Sequence, residues 1–332
     1  MRTFALSFFL VTLPLCAQVK PTGGPAPTAP TANSPQSPQP IPQIDPSQHW
    51  RNATVALGSV ITVGGTERLV VEGSAVIVAV DEKRGCLLTA KHMIEDPASG
   101  IVRPALWMRL SSEHGEEMPS IPLDLVDSQG KAIWIGAPDS DLALIPIPWA
   151  KLQGRKLDGV SIKEFAATED EVFQGAQILV LGYPQVFRNA DQTNPYSTSP
   201  IARVGIIAWT NPADPLGKPF LVDANLYGGN SGGPVFRVRN GFDRYGNFNI
   251  GNGGLAFIGI VSQGPTVTTP IIAGGGIVSR PNALTGVPET EYTVVPYVGG
   301  IGVIEPASRA KELLSRVFQL ADKPIPLQIR KP

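Results

Sequence analysis

Histidine and cysteine are scarce in this chain, with three and two in 332 residues. Cys16 and Cys86 amount to neither a disulfide framework nor a cysteine metal site. No dense run of lysine or arginine occurs, and 27 basic against 28 acidic side chains leave a formal charge of −1, so nucleic acid is a poor partner. Long helical periodicities are also missing. The 35 glycines and 33 prolines instead punctuate short β-rich runs, which points to an all-β chain with many turns. With 332 residues and 42% apolar side chains, there is material for one large or two medium domains with a real core.

The one conspicuous apolar run is at the start. Residues 1–17 carry Arg2, then an apolar stretch, then Ala17, which is the pattern of a secretory signal peptide and too short for a membrane span. Cleavage after Ala17 leaves Cys86 alone and excludes an intrachain disulfide. Cys16 offers a lipid anchor as a rival, although the bulky Leu15 before it disfavours one. Residues 18–48 hold nine prolines among Thr, Ser, Gln and Ala and read as an extended, disordered tether.

From Trp50 the pattern changes to strands. The first set occupies residues 50–150, with runs at 55–63, 68–71, 74–80, 86–89, 105–110, 132–135 and 142–147. The second set fills 175–305, with runs at 176–181, 201–209, 219–222, 233–238, 255–261, 275–279, 292–295 and 300–304. Many short strands at this spacing argue for barrels or a sandwich. Residues 151–174 are polar and read as a linker. At 306–322 Ala310, Leu313, Leu314 and Val317 share one helical face, with Pro306 suited to a first turn, so a C-terminal helix packed on the second set is expected before a tail at 323–332.

The chemistry centres on Gly229-Asn-Ser-Gly-Gly233. Flanking glycines give the Ser231 hydroxyl room, and the N–H groups of Gly229 and Ser231 could form an oxyanion hole. Taken alone, such a string is more often a glycine-rich turn. A serine hydroxyl needs a base, usually histidine held by a carboxylate. His49 ends the tether, and His114 lies in an acidic loop. His92 follows the apolar run 86–90 at its small-residue end and is the candidate base. Asp141 heads the buried run Leu-Ala-Leu-Ile-Pro-Ile and is the candidate orienting carboxylate, with Asp139 in the adjoining loop as its competitor. No histidine follows Ser231, which excludes the hydrolase elbow that shares the Gly-x-Ser-x-Gly string. No motif supports a Ser–Lys dyad. The order His92, Asp141, Ser231 is that of the chymotrypsin class.

Three blocks, Leu88-Thr-Ala-Lys-His92, Asp141-Leu-Ala-Leu-Ile145 and Gly229-Asn-Ser-Gly-Gly-Pro234, resemble the signatures of trypsin-like serine proteases. The likeness is closer to the bacterial HtrA/Deg-type protease domain, through Gly73-Ser-Ala-Val-Ile77, Leu181-Gly-Tyr-Pro184, Val204-Gly-Ile-Ile207, Asp223-Ala-Asn225 and Gly300-Ile-Gly-Val-Ile-Glu-Pro306, and it runs from about residue 70 to 320. The resemblance implies two six-stranded antiparallel β-barrels with a C-terminal helix. His92 and Asp141 would come from the first barrel and Ser231 from the second, and no metal or organic cofactor is required. It also implies substrate binding by Ser262, Gln263 and Gly264, which would pair with substrate backbone. Asn225 would lie at the floor of the specificity pocket or be an ordinary turn residue.

Departures qualify the likeness. Asn230 stands where digestive relatives carry an aspartate that pairs with a newly cut N-terminus. Gly228 replaces a proline common in the HtrA branch, which leaves open whether the oxyanion loop is preformed. No room is expected for a PDZ domain after the helix. The loops at 240–254 and 264–290 read as long surface hairpins, and 243–249 lacks calcium-loop spacing. The expectation is a secreted or periplasmic serine endopeptidase acting on polypeptides, with unfolded proteins as candidate substrates and no membrane span. Its oligomeric state is not legible. Its rivals are a protease-fold binding or chaperone-like protein with a closed cleft and, more weakly, an esterase.

Overall fold

The computed structural model describes residues 48–318, apart from 82–83, 113, 149–150, 153–156, 167, 186–195, 250–253, 264–265, 271, 274–275, 278, 283–286, 291 and 297–299. The expected signal peptide, Cys16, the expected tether up to residue 47, Gly264 and the expected tail therefore lie outside the described residues. Helix α1 (Gln48–Asn52) opens the fold. The first half then runs through β1 (Thr54–Val63), β2 (Thr66–Ala79), β3 (Gly85–Ala90), β4 (Ala105–Arg109), β5 (Ile121–Asp124), β6 (Ile135–Gly136), β7 (Leu142–Pro146) and β8 (Val160–Ser161). The second half follows with β9 (Gln177–Gly182), β10 (Ile201–Trp209), β11 (Phe220–Asp223), β12 (Pro234–Val238), the hairpin β13–β14 (Gly241–Phe242, Phe248–Asn249) and β15 (Leu255–Gln263). Six short strands, β16 to β21, lie between Thr266 and Pro296, before β22 (Ile301–Pro306) and helix α2 (Ala307–Phe318).

The all-β, two-barrel class with a C-terminal helix is what the chain adopts. The second half closes as a six-stranded barrel in the order β10-β11-β22-β15-β12-β9. The first half is an eight-stranded sheet, β5-β4-β1-β2-β3-β7-β6 with β8 added beside β2, whose hydrogen-bond ladder stays open as a half-barrel. The two runs expected at 68–71 and 74–80 are one continuous strand, β2. It turns out of β1 through Gly64-Gly65, whose φ values of 59° and 81° suit a two-residue hairpin. A register shift at Leu57/Gly58 lies opposite Val71–Gly73, where the sequence had suggested a break. The stretch 151–174 is a linker that also supplies β8, paired in parallel with β2.

Each half has its own core, and a third core joins them. Val76, Leu88 and Leu144 of the first half pack in one cluster with Leu181, Phe236, Phe257 and Ile260 of the second. Trp50 of α1 enters this cluster, its ring 4.6 Å from that of Phe236. Helix α2 buries Ala307, Ala310, Leu313, Leu314 and Phe318 in the same cluster. It packs on β15 and β22 of the second half, as expected, and meets the first half where the Arg84 guanidinium lies over the Phe318 ring. Pro306 closes β22 and precedes the helix. Among the described residues no helix is long and apolar enough to cross a membrane.

Candidate active site

Strand β3 is buried along its whole length, between β2 and β7. Its pairing with β7 ends at Ala90 opposite Leu142, so the residues just beyond, Lys91 to Met93 in a short 3-10 turn, meet Asp141. Lys91 N–H donates to the Asp141 carbonyl at 3.1 Å. The His92 N–H donates to Asp141 Oδ1 at 2.9 Å, and Nδ1 lies 2.7 Å from Oδ2. An ionised carboxylate only accepts, so Nδ1 carries the proton and Nε2 is left as the basic atom. Ser262 Oγ, reaching from β15, donates to the same Oδ2 at 2.6 Å.

Burial works to raise the Asp141 carboxyl, but the hydrogen bond and charge of His92, with the Ser262 hydroxyl and the His92 N–H, outweigh it and hold the group below its ordinary value. Asp139 stays exposed in the preceding loop, and its carboxylate does not take this place.

The serine loop between β11 and β12 is held from the other side, mainly by backbone. Ser74 of β2 crosses from the first half. Its N–H donates to the Ser231 carbonyl at 2.7 Å, and its hydroxyl donates to the Gly229 carbonyl at 2.8 Å. The same hydroxyl accepts the Tyr183 N–H at 3.0 Å, while the Ser74 carbonyl accepts Thr89 Oγ1 at 2.7 Å. Gly232 sits at φ 80°, and a Cβ there would stand 2.0 Å from the Ser74 carbonyl oxygen and 2.2 Å from Thr89 Oγ1. The loop thus rests on Ser74 of β2 and, at Gly232, on Thr89 of β3, the strand that runs into His92. Gly73 marks the same junction, since a Cβ there would lie 2.4 Å from Met93 Cε and 3.2 Å from the Ser231 carbonyl oxygen.

Two further bonds orient peptide groups of the loop. The Gly228 carbonyl accepts the Gln185 N–H at 2.8 Å, and the Asn230 carbonyl accepts the Gly233 N–H at 2.8 Å. In a trans peptide the N–H points opposite its carbonyl, so the N–H groups of Gly229 and Ser231 face away from these partners. Among the described residues neither has an acceptor. Gly229 is at φ 93°, where a Cβ would stand 2.3 Å from the Tyr183 carbonyl oxygen. Asn230 is fully buried and donates from Nδ2 to the Tyr227 carbonyl of its own loop at 3.0 Å. The half-buried Ser231 hydroxyl makes no hydrogen bond among the described residues, so its link to His92 is not formed.

The expected substrate-binding residues divide. Ser262 is drawn to Asp141. Gln263 ends β15, and Gly264 falls outside the described residues. Asn225 is exposed just beyond β11, and it alone among the described non-glycine residues has a left-handed backbone, with φ 48°. A cavity of about 550 Å³ opens beside the histidine–aspartate pair, lined by His92, Asp141, Ser262, Asp139, Glu305 and Lys91 among others, and Asn225 does not line it. Among the described residues no cluster of histidine, cysteine or carboxylate side chains is arranged to hold a metal.

Sequence reasoning missed Ser74, Gln185 and Glu305. The signal for Glu305 was an acid set within the apolar strand Val303-Ile304-Glu305-Pro306. Ser74 was noted only as part of the Gly73–Ile77 likeness, and Gln185 gave no signal, because its partners are backbone groups far away in sequence.

An all-β chain of two packed halves, with a histidine–aspartate pair on one and a glycine-framed serine loop on the other, defines the chymotrypsin-like class of folds. The model of the trypsin-like peptidase domain matches residues 73–242, and the chain belongs to that family. No curated protein matches the sequence.

Proposed function

We propose that the protein is a serine endopeptidase. Ser231 Oγ attacks the scissile carbonyl, and its proton passes to His92 Nε2. His92 then gives that proton to the leaving amine as the acyl-enzyme forms, and the same base activates the water that releases the acid. Asp141 holds the imidazole in the required tautomer and offsets its charge. Gly229 and Ser231 N–H groups receive the oxyanion, and each such donor is worth about 10²–10³ in rate. The carrying observation is the two-point grip of Asp141 on His92, at 2.7 and 2.9 Å, with Ser262 closing the carboxylate from the other half. The bond between Ser231 Oγ and His92 Nε2 is the contact left to tighten with substrate, as is common for catalytic hydrogen bonds in empty sites.

Polypeptides, unfolded ones foremost, are the substrates that fit this reading. The uncharged Asn225 supports a weak side-chain preference at the cleaved residue. The apolar leader at 1–17 supports export, to the periplasm or outside the cell, and the motifs between residues 73 and 306 support an HtrA-type ancestry. The test is fluorophosphonate labelling of the mature protein beside Ser231→Ala and His92→Ala, with cleavage of an unfolded protein followed in parallel. Labelling at Ser231 that both substitutions remove is the expected result. Absence of both labelling and cleavage at neutral pH sinks the enzyme reading, and labelling without peptide or ester turnover returns a closed-cleft binding protein.

A further inference from the structure

Glu305 sits on β22 directly before Pro306, paired with Ile260 of β15, and is only 5% exposed. A carboxylate so buried is costly unless it has fixed partners. Its Oε1 accepts the backbone N–H of Asp141 at 3.2 Å, which carries it from the closed barrel to the residue that grips His92. Its Oε2 lies 3.6 Å from Arg309 Nη1, one turn into α2. The same guanidinium donates to the Asp139 carbonyl at 3.1 Å and, through Nε, to the Gly217 carbonyl at 2.7 Å.

The stretch 139–141 is therefore tied from behind at two points, one at the Asp141 N–H and one at the Asp139 carbonyl. The Asp141 carbonyl is tied from the front by Lys91 N–H. Three donors hold the Asp141 carboxylate, while Glu305 and the Lys91 N–H hold its backbone on either side. The groups facing Glu305 are Asp141, Asp139 and Arg309, with Lys91 and Glu95 across the shared cavity. Burial first, then the nearby carboxylates of Asp141 and Asp139, push the Glu305 carboxyl above its ordinary value against the pull of the Asp141 N–H and Arg309.

Resting on the serine-peptidase reading, we propose that Glu305 is a positioning residue, an acceptor supplied by the second barrel that sets the Asp141 backbone and through it the orientation of His92. It touches neither substrate nor the reacting atoms. What it contributes is an acceptor at one place, so the oxygen matters and the charge is secondary.

The experiment compares Glu305→Met, which keeps the volume and loses the acceptor, with Glu305→Gln, which keeps an Oε1 acceptor and loses the charge. Removing one partner of a buried ion pair costs stability, and Glu305→Met leaves the Arg309 guanidinium only its bonds to the Asp139 and Gly217 carbonyls. Each variant is therefore first shown to be folded by circular dichroism, with Glu305→Leu as the second apolar variant should methionine misfold. Two readouts are taken: kcat and KM on an unfolded polypeptide, and the low-field proton resonance of His92 Nδ1–H, assigned by its loss in His92→Ala. The expected result for Glu305→Met is a fall of ~10–10²-fold in kcat, the scale of a small misplacement of catalytic groups, with KM unchanged and the Nδ1–H resonance broadened or lost. Glu305→Gln recovers most of both. An apolar variant with wild-type kcat and resonance overturns the proposal, and so does a glutamine variant as impaired as the methionine one. The resonance needs no turnover. A wild type that neither labels nor cleaves defeats the peptidase reading, while loss of the resonance in Glu305→Met and its retention in Glu305→Gln still show the positioning contact.

Discussion

The two halves of the site are immobilised by different kinds of bond. His92 and Asp141 are locked by side chains: a carboxylate with three donors, closed by Ser262 and backed by Glu305. The Ser231 loop is locked by backbone, with carbonyls at 228, 229, 230 and 231 each accepting one hydrogen bond. The first half depends on particular functional groups placed by a backbone that is itself hydrogen-bonded at Lys91, His92 and Asp141. The second is indifferent to most chemistry but intolerant of a single added Cβ. The traffic is also crossed, since Ser74 of the first half holds the serine loop, while Ser262 and Glu305 of the second hold Asp141. Each half of the site thus takes part of its support from the other, across the core that both share with α2 and Trp50.

The sharpest way to break the comparison is to change one functional group without changing shape. Asp141→Asn offers a single acceptor oxygen to three donors, so either His92 N–H, His92 Nδ1–H or Ser262 Oγ loses its partner, and the wrong tautomer is favoured. A loss of ~10⁴-fold in kcat is expected, the size of the corresponding change in the well-studied triad enzymes, with the protein still folded by circular dichroism. Burst kinetics of an ester substrate measures it. The backbone half answers to Gly229→Ala. Its methyl would stand 2.3 Å from the Tyr183 carbonyl oxygen and 2.9 Å from Gln185 N, forcing the loop off the contacts that aim the Gly229 N–H. The expected cost is ~10²–10³-fold in kcat, one oxyanion donor, and a wild-type rate would remove Gly229 from the oxyanion role.

How much of this was legible beforehand follows the same division. His92 and Asp141 could be read because each ends or heads an apolar run, and β3 and β7 do bring those ends together. The glycines around Ser231 were legible as residue types, and two of them have positive φ. Gly228 raised the question of a mobile oxyanion loop, and its carbonyl accepts the Gln185 N–H, a contact between residues 43 apart that no local pattern encodes. The halves were visible as two sets of strands, but the open ladder of the first depends on pairings made over long sequence separations. Ser262 was matched to substrate backbone, and the bond from its hydroxyl to Asp141 is a further contact that the match did not supply. The apolar face of α2 was legible from its period, and it packs on β15 and β22 of the second half. Its meeting with Arg84 of the first half was not legible, because amphipathicity alone does not name every surface a helix touches.

Ser74→Ala sharpens the comparison at smaller amplitude. It removes the hydroxyl that donates to the Gly229 carbonyl and leaves the buried Tyr183 N–H without its acceptor. An orphaned buried group costs ~1–3 kcal/mol, to be read as a shift in the urea midpoint with an unchanged slope. The Ser74 N–H on Ser231 is untouched, so labelling by fluorophosphonate slows without being lost. Fluorophosphonate labelling as fast as wild type would mean that the 229 carbonyl needs no side chain to hold it.

The smallest effect separates the two carboxylates by the sign of their dependence on pH. The Asp141 carboxyl is held below its ordinary value, so the stability it contributes is present above the unfolded value, ~pH 4, and is lost as pH falls through the lower folded one. The Glu305 carboxyl is raised, so its contribution is complete below its unfolded value, ~pH 4.3, and is lost as pH rises through the folded one. Over the range above about pH 4.3 the wild type therefore gives up stability at Glu305 that Glu305→Gln does not, and the urea midpoint of that variant should decline less as pH rises. Below that range Asp141→Asn should lose less than the wild type does. A Glu305→Gln profile parallel to wild type would place the cost of that buried carboxylate elsewhere, and would leave its ion pair with Arg309 as full compensation for its burial.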